Sequence, residues 1–258
     1  MAPHWTQPHT MFRTRLVPDP WFANGNADAV HYLGASANEI YRCGVPASGN
    51  IVGSVSGTVL SPVLSPHYQQ AFTGAAGDPL SVEFDVGTTD SFDAASSAVH
   101  NTTTEAMATF VVFERSGAST NLRSLIGKHV YATSGWMVRV SSTNIYSVLF
   151  WGTSGISSTS MSSAPALNTP SWLMVWYSPV QDAIGFTSSW DTENTVPFSA
   201  YPVGSITTSG VFSLGDSGSR SATPSRIATA IHFSGTAAET VIAARATKLP
   251  AWATAAGI

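Results

Sequence analysis

Six apolar residues in succession, Trp172 to Tyr177, stand between Pro170 and Pro179. The run is too short to cross a bilayer and too short for a typical helix. Its aromatic and β-favouring side chains, bounded by two prolines, indicate a strand buried on both faces. Ser178 to Asp182 then supplies a turn, and Ala183 to Thr187 returns as a second strand. Alternation places Trp172 and Trp176 on one face and Leu173, Val175 and Tyr177 on the other. Both faces need a cover, so the rest of the chain is expected to wrap this hairpin.

The chain can supply that cover. It has 258 residues, of which 43% are hydrophobic, enough for one large β domain or a β domain with an extension. Only 10% are charged, against about 25% in an ordinary soluble domain. Ser, Thr, Ala and Gly form the polar surface instead, which suits a protein packed against other proteins or against sugars. Lys and Arg total 11 against 15 acidic residues, with no basic run, so a nucleic-acid surface is not expected. Cys43 is the single cysteine, so no intramolecular disulfide forms, and it reads as a small buried hydrophobe. The amino-terminal residues lack the apolar core of a secretion signal, and no stretch is long enough to span a membrane. Such a chain is expected to stay in the cell that makes it or to leave within a larger particle.

Residues 1 to 75 read as an arm and linking segment, and residues 76 to 258 as the folded domain. In residues 1 to 20, Pro3, Pro8, Pro18 and Pro20 alternate with aromatics, a composition that lies extended over a partner. Trp5, Phe12, Arg13, Arg15, Trp21 and Phe22 are the candidate docking residues. His4 and His9 make a poor metal site, because Pro3 removes the backbone amide that an amino-terminal copper site requires. Asp28 to Val45 has no clear period, and Asn50 to Val63 reads as one or two strands with a bulge. Pro66 to Pro79 reads as a boundary or long loop. Strands are then expected at Leu80–Val86, Ala108–Arg115, Ser124–Ile126, Val130–Ala132, Trp136–Val140, Ile145–Trp151, Val211–Leu214 and Arg226–Phe233. Gly152 to Thr169 reads as a loop. One helix is expected, at about 237 to 247, started by a Thr236–Glu239 capping box and stopped by Pro250. Many strands with Gly, Ser and Asn turns and one helix indicate an all-β, two-sheet antiparallel sandwich.

From about Leu80 onward, the order of elements resembles the concanavalin A-like lectin/glucanase jelly roll, in particular its laminin-G-like branch. The resemblance rests on TFVVFERSG with SLIGKH, on GWMVRVSSTNIYSVLFW, on SWLMVWYSPVQDAIGF, and on GVFSLGD with RIATAIHFSGTAAETVIAA. The family's usual Asp-Gly turn in the central hairpin is replaced here by Val180-Gln181-Asp182. The family includes glycan-binding modules, glycoside hydrolases and non-enzymatic modules, so the fold alone does not choose among them. The arm, the low charge and the loose similarity of RTRLVPDPWFANGNAD to the opening of phage tail proteins suggest such a module in a bacteriophage virion. That reading makes the chain a non-enzymatic capsid decoration or tail-associated subunit, oligomeric, assembled in the host cytoplasm beside other capsid or tail proteins. The alternative is a receptor-binding lectin for a host surface glycan.

Chemistry-bearing constellations are few. The glucanase branch places two or three carboxylates two residues apart on one strand. Glu83 and Asp85 match the first two, but Gly87 and Thr88 stand where a third would be. Asp191 and Glu193 form a second pair on a loop, where solvation or calcium ligation outranks catalysis. Gly215-Asp216-Ser217-Gly218 matches the nucleophile motif of trypsin-like proteases, but no histidine stands in the required context, and the segment reads as a turn. No catalytic residue, metal site or cofactor is therefore assigned. Glycan binding would use exposed aromatic faces beside acids and amides. Trp190, Asp191, Asn194 and Tyr201, within the irregular segment 187 to 205, form the best cluster, and Trp151 is a second candidate. Rim packing or a protein contact is the competing reading for each of these aromatics.

Overall fold

The computed structural model describes residues 26–72, 80–85, 90–94, 98–100, 105–120, 122–130, 134–152, 155–198, 210–215 and 222–256. The described residues begin with helix α1 (Asn26–Leu33) and strand β1 (Glu39–Arg42), followed by β2 (Ile51–Val52), β3 (Val59–Val63) and β4 (His67–Ala71). Next come β5 (Leu80–Phe84), β6 (Ser91–Ala94), β7 (Met107–Arg115), β8 (Arg123–Val130), β9 (Ser134–Val140), β10 (Tyr146–Gly152) and β11 (Gly155–Ser160). The chain closes with β12 (Pro170–Ser178), β13 (Ala183–Ser188), β14 (Asn194–Pro197), β15 (Val211–Gly215), β16 (Ser225–Ser234) and helix α2 (Gly235–Ala256).

The strands form two sheets. One runs β14-β13-β12-β7-β16-β5-β4, and the other runs β11-β10-β9-β8-β15-β6-β3-β2. The ladders between the described strands are antiparallel. Strand β16 is long enough to take β5 along Ser225–Ile227 and β1 along Thr229–His232, with a register shift between them. The architecture is the two-sheet jelly-roll sandwich expected from the sequence, with a helix after the last strand.

Two hydrophobic layers hold it together, and the hairpin β12–β13 belongs to both. Leu173, Val175 and Tyr177 face the inter-sheet core with Val111, Phe113, Phe150 and Phe186. Trp172, Met174 and Trp176 face outward, into a second layer under α2 with Phe110, Val112, Val241, Ile242 and Trp252. This is the division of faces that alternation along the run predicts. Helix α2 covers the outer layer because Ala238, Val241, Ile242, Leu249 and Trp252 recur at helical spacing and are all buried. Leu33 of α1 joins the same layer.

Several sequence expectations need correction. Helix α2 does not stop before Pro250 but runs through it to Ala256. Leu249 and Trp252 are buried on either side of the proline, and Trp252 packs edge-on against Phe110 at 4.9 Å. The burial of that indole outweighs the backbone bond that proline forfeits. Glu239 does not serve a capping box: its carboxylate accepts hydrogen bonds from the Ser178 hydroxyl (2.7 and 2.9 Å) and the Val180 amide (3.4 Å). It thereby ties the helix to the turn of the central hairpin. The two short strands expected around Gly127-Lys128 are one strand, β8, with a register shift near Ser124–Ile126. Strand β4 lies inside the expected loop 66–79, and β11 inside the expected loop 152–169. The sheets take strands from both sides of residue 76, since β1 pairs with β16 and β4 with β5.

Candidate ligand-binding site

Trp190, Asp191 and Asn194 come together at the rim where β13 passes into β14. Their polar groups are spent on the protein itself. Trp190 meets Phe113 and Tyr146 edge-on, at 5.8 and 5.4 Å, and its Nε1 donates to the Ser163 carbonyl at 3.1 Å. The Asp191 carboxylate accepts from the backbone amides of Ser162, Ser163 and Thr192 and from the Ser162 hydroxyl, at 2.6 to 2.9 Å. Desolvation pushes its pKa up, but these hydrogen bonds outweigh it and bring the value down to about 2. Asn194 Nδ2 donates to the Ser160 carbonyl at 2.7 Å, linking β14 to β11. Trp151 stands apart, on the outer face of the other sheet. It is buried, and it stacks on His129 with ring centroids 5.4 Å apart. Tyr201 lies outside the described residues, as do Asp216 and Ser217 and the docking candidates Trp5, Phe12, Arg13, Arg15, Trp21 and Phe22.

A concave site opens beside this rim, on the outer face of the first sheet. A cavity of about 330 Å³ is lined by Trp176, Gln181, Asp182, Ala183, Glu193, Thr195, Pro197 and Arg245. Four elements and one turn build it. Trp176 of β12 lies flat over Gly185 of β13, where a Cβ would stand 2.0 Å from indole carbons, so only glycine allows this placement. Arg245 of α2 places its guanidinium over the indole, 4.5 Å from the ring centroid. Its Nε and Nη2 pair with the two oxygens of Glu193 at 2.5 and 2.6 Å, a bidentate fork. Thr187 donates to Glu193 at 2.6 Å and accepts from Trp176 Nε1 at 3.3 Å, closing the network. Desolvation raises the Glu193 pKa, but the bonds from Arg245 and Thr187 prevail and hold it below the usual carboxylate range. Gln181 and Asp182 supply the open rim. Both are exposed, and among the described residues their side chains have no hydrogen-bond partner. Asp182 adopts the left-handed conformation (φ 48°) that the third residue of this turn needs, and Asp tolerates it better than most residues.

Of these lining residues, the sequence reading drew attention to Trp176, Glu193 and the Val180-Gln181-Asp182 turn for other reasons, and passed over Thr195 and Arg245. Arg245 lies about fifty residues beyond its partner in sequence, and no local pattern announces that contact.

The paired acids of the glucanase comparison are engaged elsewhere. Glu83 and the buried Glu114 both bind Arg226, at 3.1 and 2.7 Å, across the β5-β16-β7 ladder. Asp85 faces His67 at 3.6 Å in an exposed pair. A separate polar cluster occupies the inter-sheet layer. The Tyr41 hydroxyl and His100 Nε2 are 3.1 Å apart, Thr109 Oγ1 and His232 Nδ1 are 2.9 Å apart, and His100 stacks on Phe212 at 3.8 Å. Burial, then the neighbouring His232 and Lys128, pushes the His100 pKa well below normal. Burial, with Lys128, lowers that of His232 to about 3. Burial thus favours the neutral form of both rings.

No protein-family model matches the chain, and no curated protein matches it in sequence. Solved structures do match in shape. The binding domain of Paraclostridial Mosquitocidal Protein 1 superposes with a TM-score of 0.60 at 10% identity, over 82% of this chain and 52% of that one. Trypanosoma rangeli sialidase gives 0.56 at 6% identity, over 81% of this chain and 33% of that one. Botulinum neurotoxin type C, which depends on interaction with two ganglioside molecules to enter cells, gives 0.52 at 10% identity, over 79% and 49%. The chain thus spans about half of the toxin chains and a third of the sialidase. Together with the sheet order, these likenesses show that the chain has the β-sandwich fold found in toxin binding domains and in part of a sialidase.

Proposed function

We propose that this chain is a non-enzymatic glycan-recognition module, and that the cavity beside Trp176 holds the sugar. The observation that carries the reading is that cavity. It combines an indole, a clamped Arg–Glu pair, a hydroxyl from Thr195 and the unpartnered Gln181 and Asp182 side chains. Its volume falls at the small end of small-molecule sites, the size that suits one or two sugar rings. Trp176 is fully buried between Gly185 and the Arg245 guanidinium and forms the floor, so the groups offered to a sugar are the amide of Gln181, the hydroxyl of Thr195 and the carboxylate of Asp182, which answer its ring of hydroxyls. The ganglioside dependence of the toxin that shares the fold supports a sugar over other polar ligands. Of the paired acids Glu83 is tied to Arg226 and Asp85 faces His67, which supports binding over hydrolysis at that pair. Docking on a virion rests on residues 1 to 20, on which none of the comparisons bears, so the proposal concerns the sandwich alone.

The test is a glycan array probed with the whole chain, followed by titration of any ligand found. Each of Gln181→Ala and Thr195→Val is expected to weaken binding about fivefold, the loss of roughly one hydrogen bond. Binding that survives both substitutions together, and is lost in Trp151→Ala, would move the site to the other sheet and sink this assignment.

A further inference from the structure

The charge of the cavity is lopsided, and the asymmetry says which sugars it should prefer. Glu193 and Arg245 neutralise each other, and Arg245 Nη1 is held by the Ile242 carbonyl at 2.5 Å, so each nitrogen of the guanidinium is committed within the protein. Three of its five N–H donors are used in this way and its charge is matched by Glu193, so the pair presents no net positive charge to a ligand. What remains on the rim is Asp182, an exposed carboxylate with no partner among the described residues, beside the Gln181 amide. Its backbone is fixed on both sides: its amide donates to Pro179 at 3.3 Å and its carbonyl accepts from Phe198 at 2.5 Å. Glu239, bound to Ser178 in the same turn, adds a second negative charge nearby. The Tyr177 hydroxyl on this hairpin registers that field: burial raises its pKa first, and the charges of Asp182 and Glu239 raise it further.

We propose that the group selected at this rim is a protonated amine, so that the preferred ligand is a sugar with a free amino group and carboxylated sugars are disfavoured. This inference rests on the glycan reading above. Asp182 supplies the counter-charge, the Gln181 carbonyl and the Thr195 hydroxyl supply further acceptors, and the Glu193–Arg245 pair forms a neutral wall.

The experiment is calorimetric titration of the whole chain, at about pH 6 and low salt, with glucosamine, glucose and glucuronate. Glucosamine is expected to bind about two- to fivefold tighter than glucose, the size of an exposed ion pair, and glucuronate more weakly than glucose. Added salt should compress the differences. In Asp182→Asn the ratio of glucosamine to glucose affinity should fall to about one, whereas Asp85→Asn, at an exposed carboxylate just beyond β5, should leave the ratio as it was. Equal affinities for glucosamine and glucose, or a ratio indifferent to Asp182→Asn, would overturn the amine preference while leaving the glycan reading intact. No binding of any sugar by the intact chain would overturn the glycan reading itself, and the preference with it.

Discussion

Trp176 serves three structural purposes at once: it packs over Gly185, it carries Arg245 on its face, and it donates through Nε1 to Thr187. Trp176→Ala is expected to cost about 3–5 kcal/mol, measured by urea denaturation, because a buried indole leaves a large cavity. Gly185→Ala should also destabilise, by about 1–3 kcal/mol, since the added methyl meets indole carbons at 2.0 Å and the ring must move. The buried histidines give a different signature. The unfolded chain takes up protons on histidine near pH 6.5, whereas folded His232 resists protonation down to about pH 3, and folded His100 is likewise lowered. Between those limits the unfolded state binds more protons, so stability is full above about pH 6.5 and falls as the pH drops. The slope approaches 1.4 kcal/mol per pH unit for each histidine. Tyr41 and Thr109 hydrogen-bond the pair, buried Glu39 of β1 is the cross-strand partner of His232, and Lys128 opposes protonation. Urea midpoints at pH 7 and pH 5 should therefore differ clearly in the parent and by about half as much in His232→Gln, where His100 still contributes.

At the scale of elements, what could be read in advance depended on whether a segment's rule is local. The hairpin β12–β13 announced its two faces because each residue from Trp172 to Tyr177 is apolar and the alternation leaves no other assignment. Strands β4 (HYQQA) and β11 (GISSTS) were not legible, because edge strands rich in Ser and Gln carry no apolar alternation. Helix α2 was legible at its start and not at its end. Pro250 is a local stop signal, and only the packing of Trp252 on Phe110 overrides it. Trp252→Ala should consequently shorten the helix back toward Pro250, visible as lost helical circular dichroism and as faster proteolysis after residue 249. Of the rim residues, Trp190 looked like a sugar platform from sequence alone. Its ring edges against Phe113 and Tyr146 show why a lone aromatic on a loop cannot be told from a core residue without the neighbours. The cavity was illegible for the same reason on a longer scale, since its wall joins Glu193 to Arg245 across half a hundred residues.

For the whole molecule, the sandwich is a scaffold whose first sheet is covered on both faces, by the second sheet and by α2. The ligand site sits where that cover ends, at the margin of the helix on β12, β13 and β14. A ligand held there should raise the melting temperature of the whole chain with concentration, as binding to the folded state alone requires, and a melt unmoved by saturating sugar would speak against the site. Strands β12 and β7 line both hydrophobic layers, with alternate residues committed to each. They cannot let go of the helix layer without loosening the inter-sheet layer. In hydrogen exchange the amides of β7 and β12 should thus be the last to exchange, and the helix side should not open as an independent unit. A sugar held at the rim of the cavity would then slow exchange in strands it never approaches, so protection of β7 becomes a remote gauge of occupancy there.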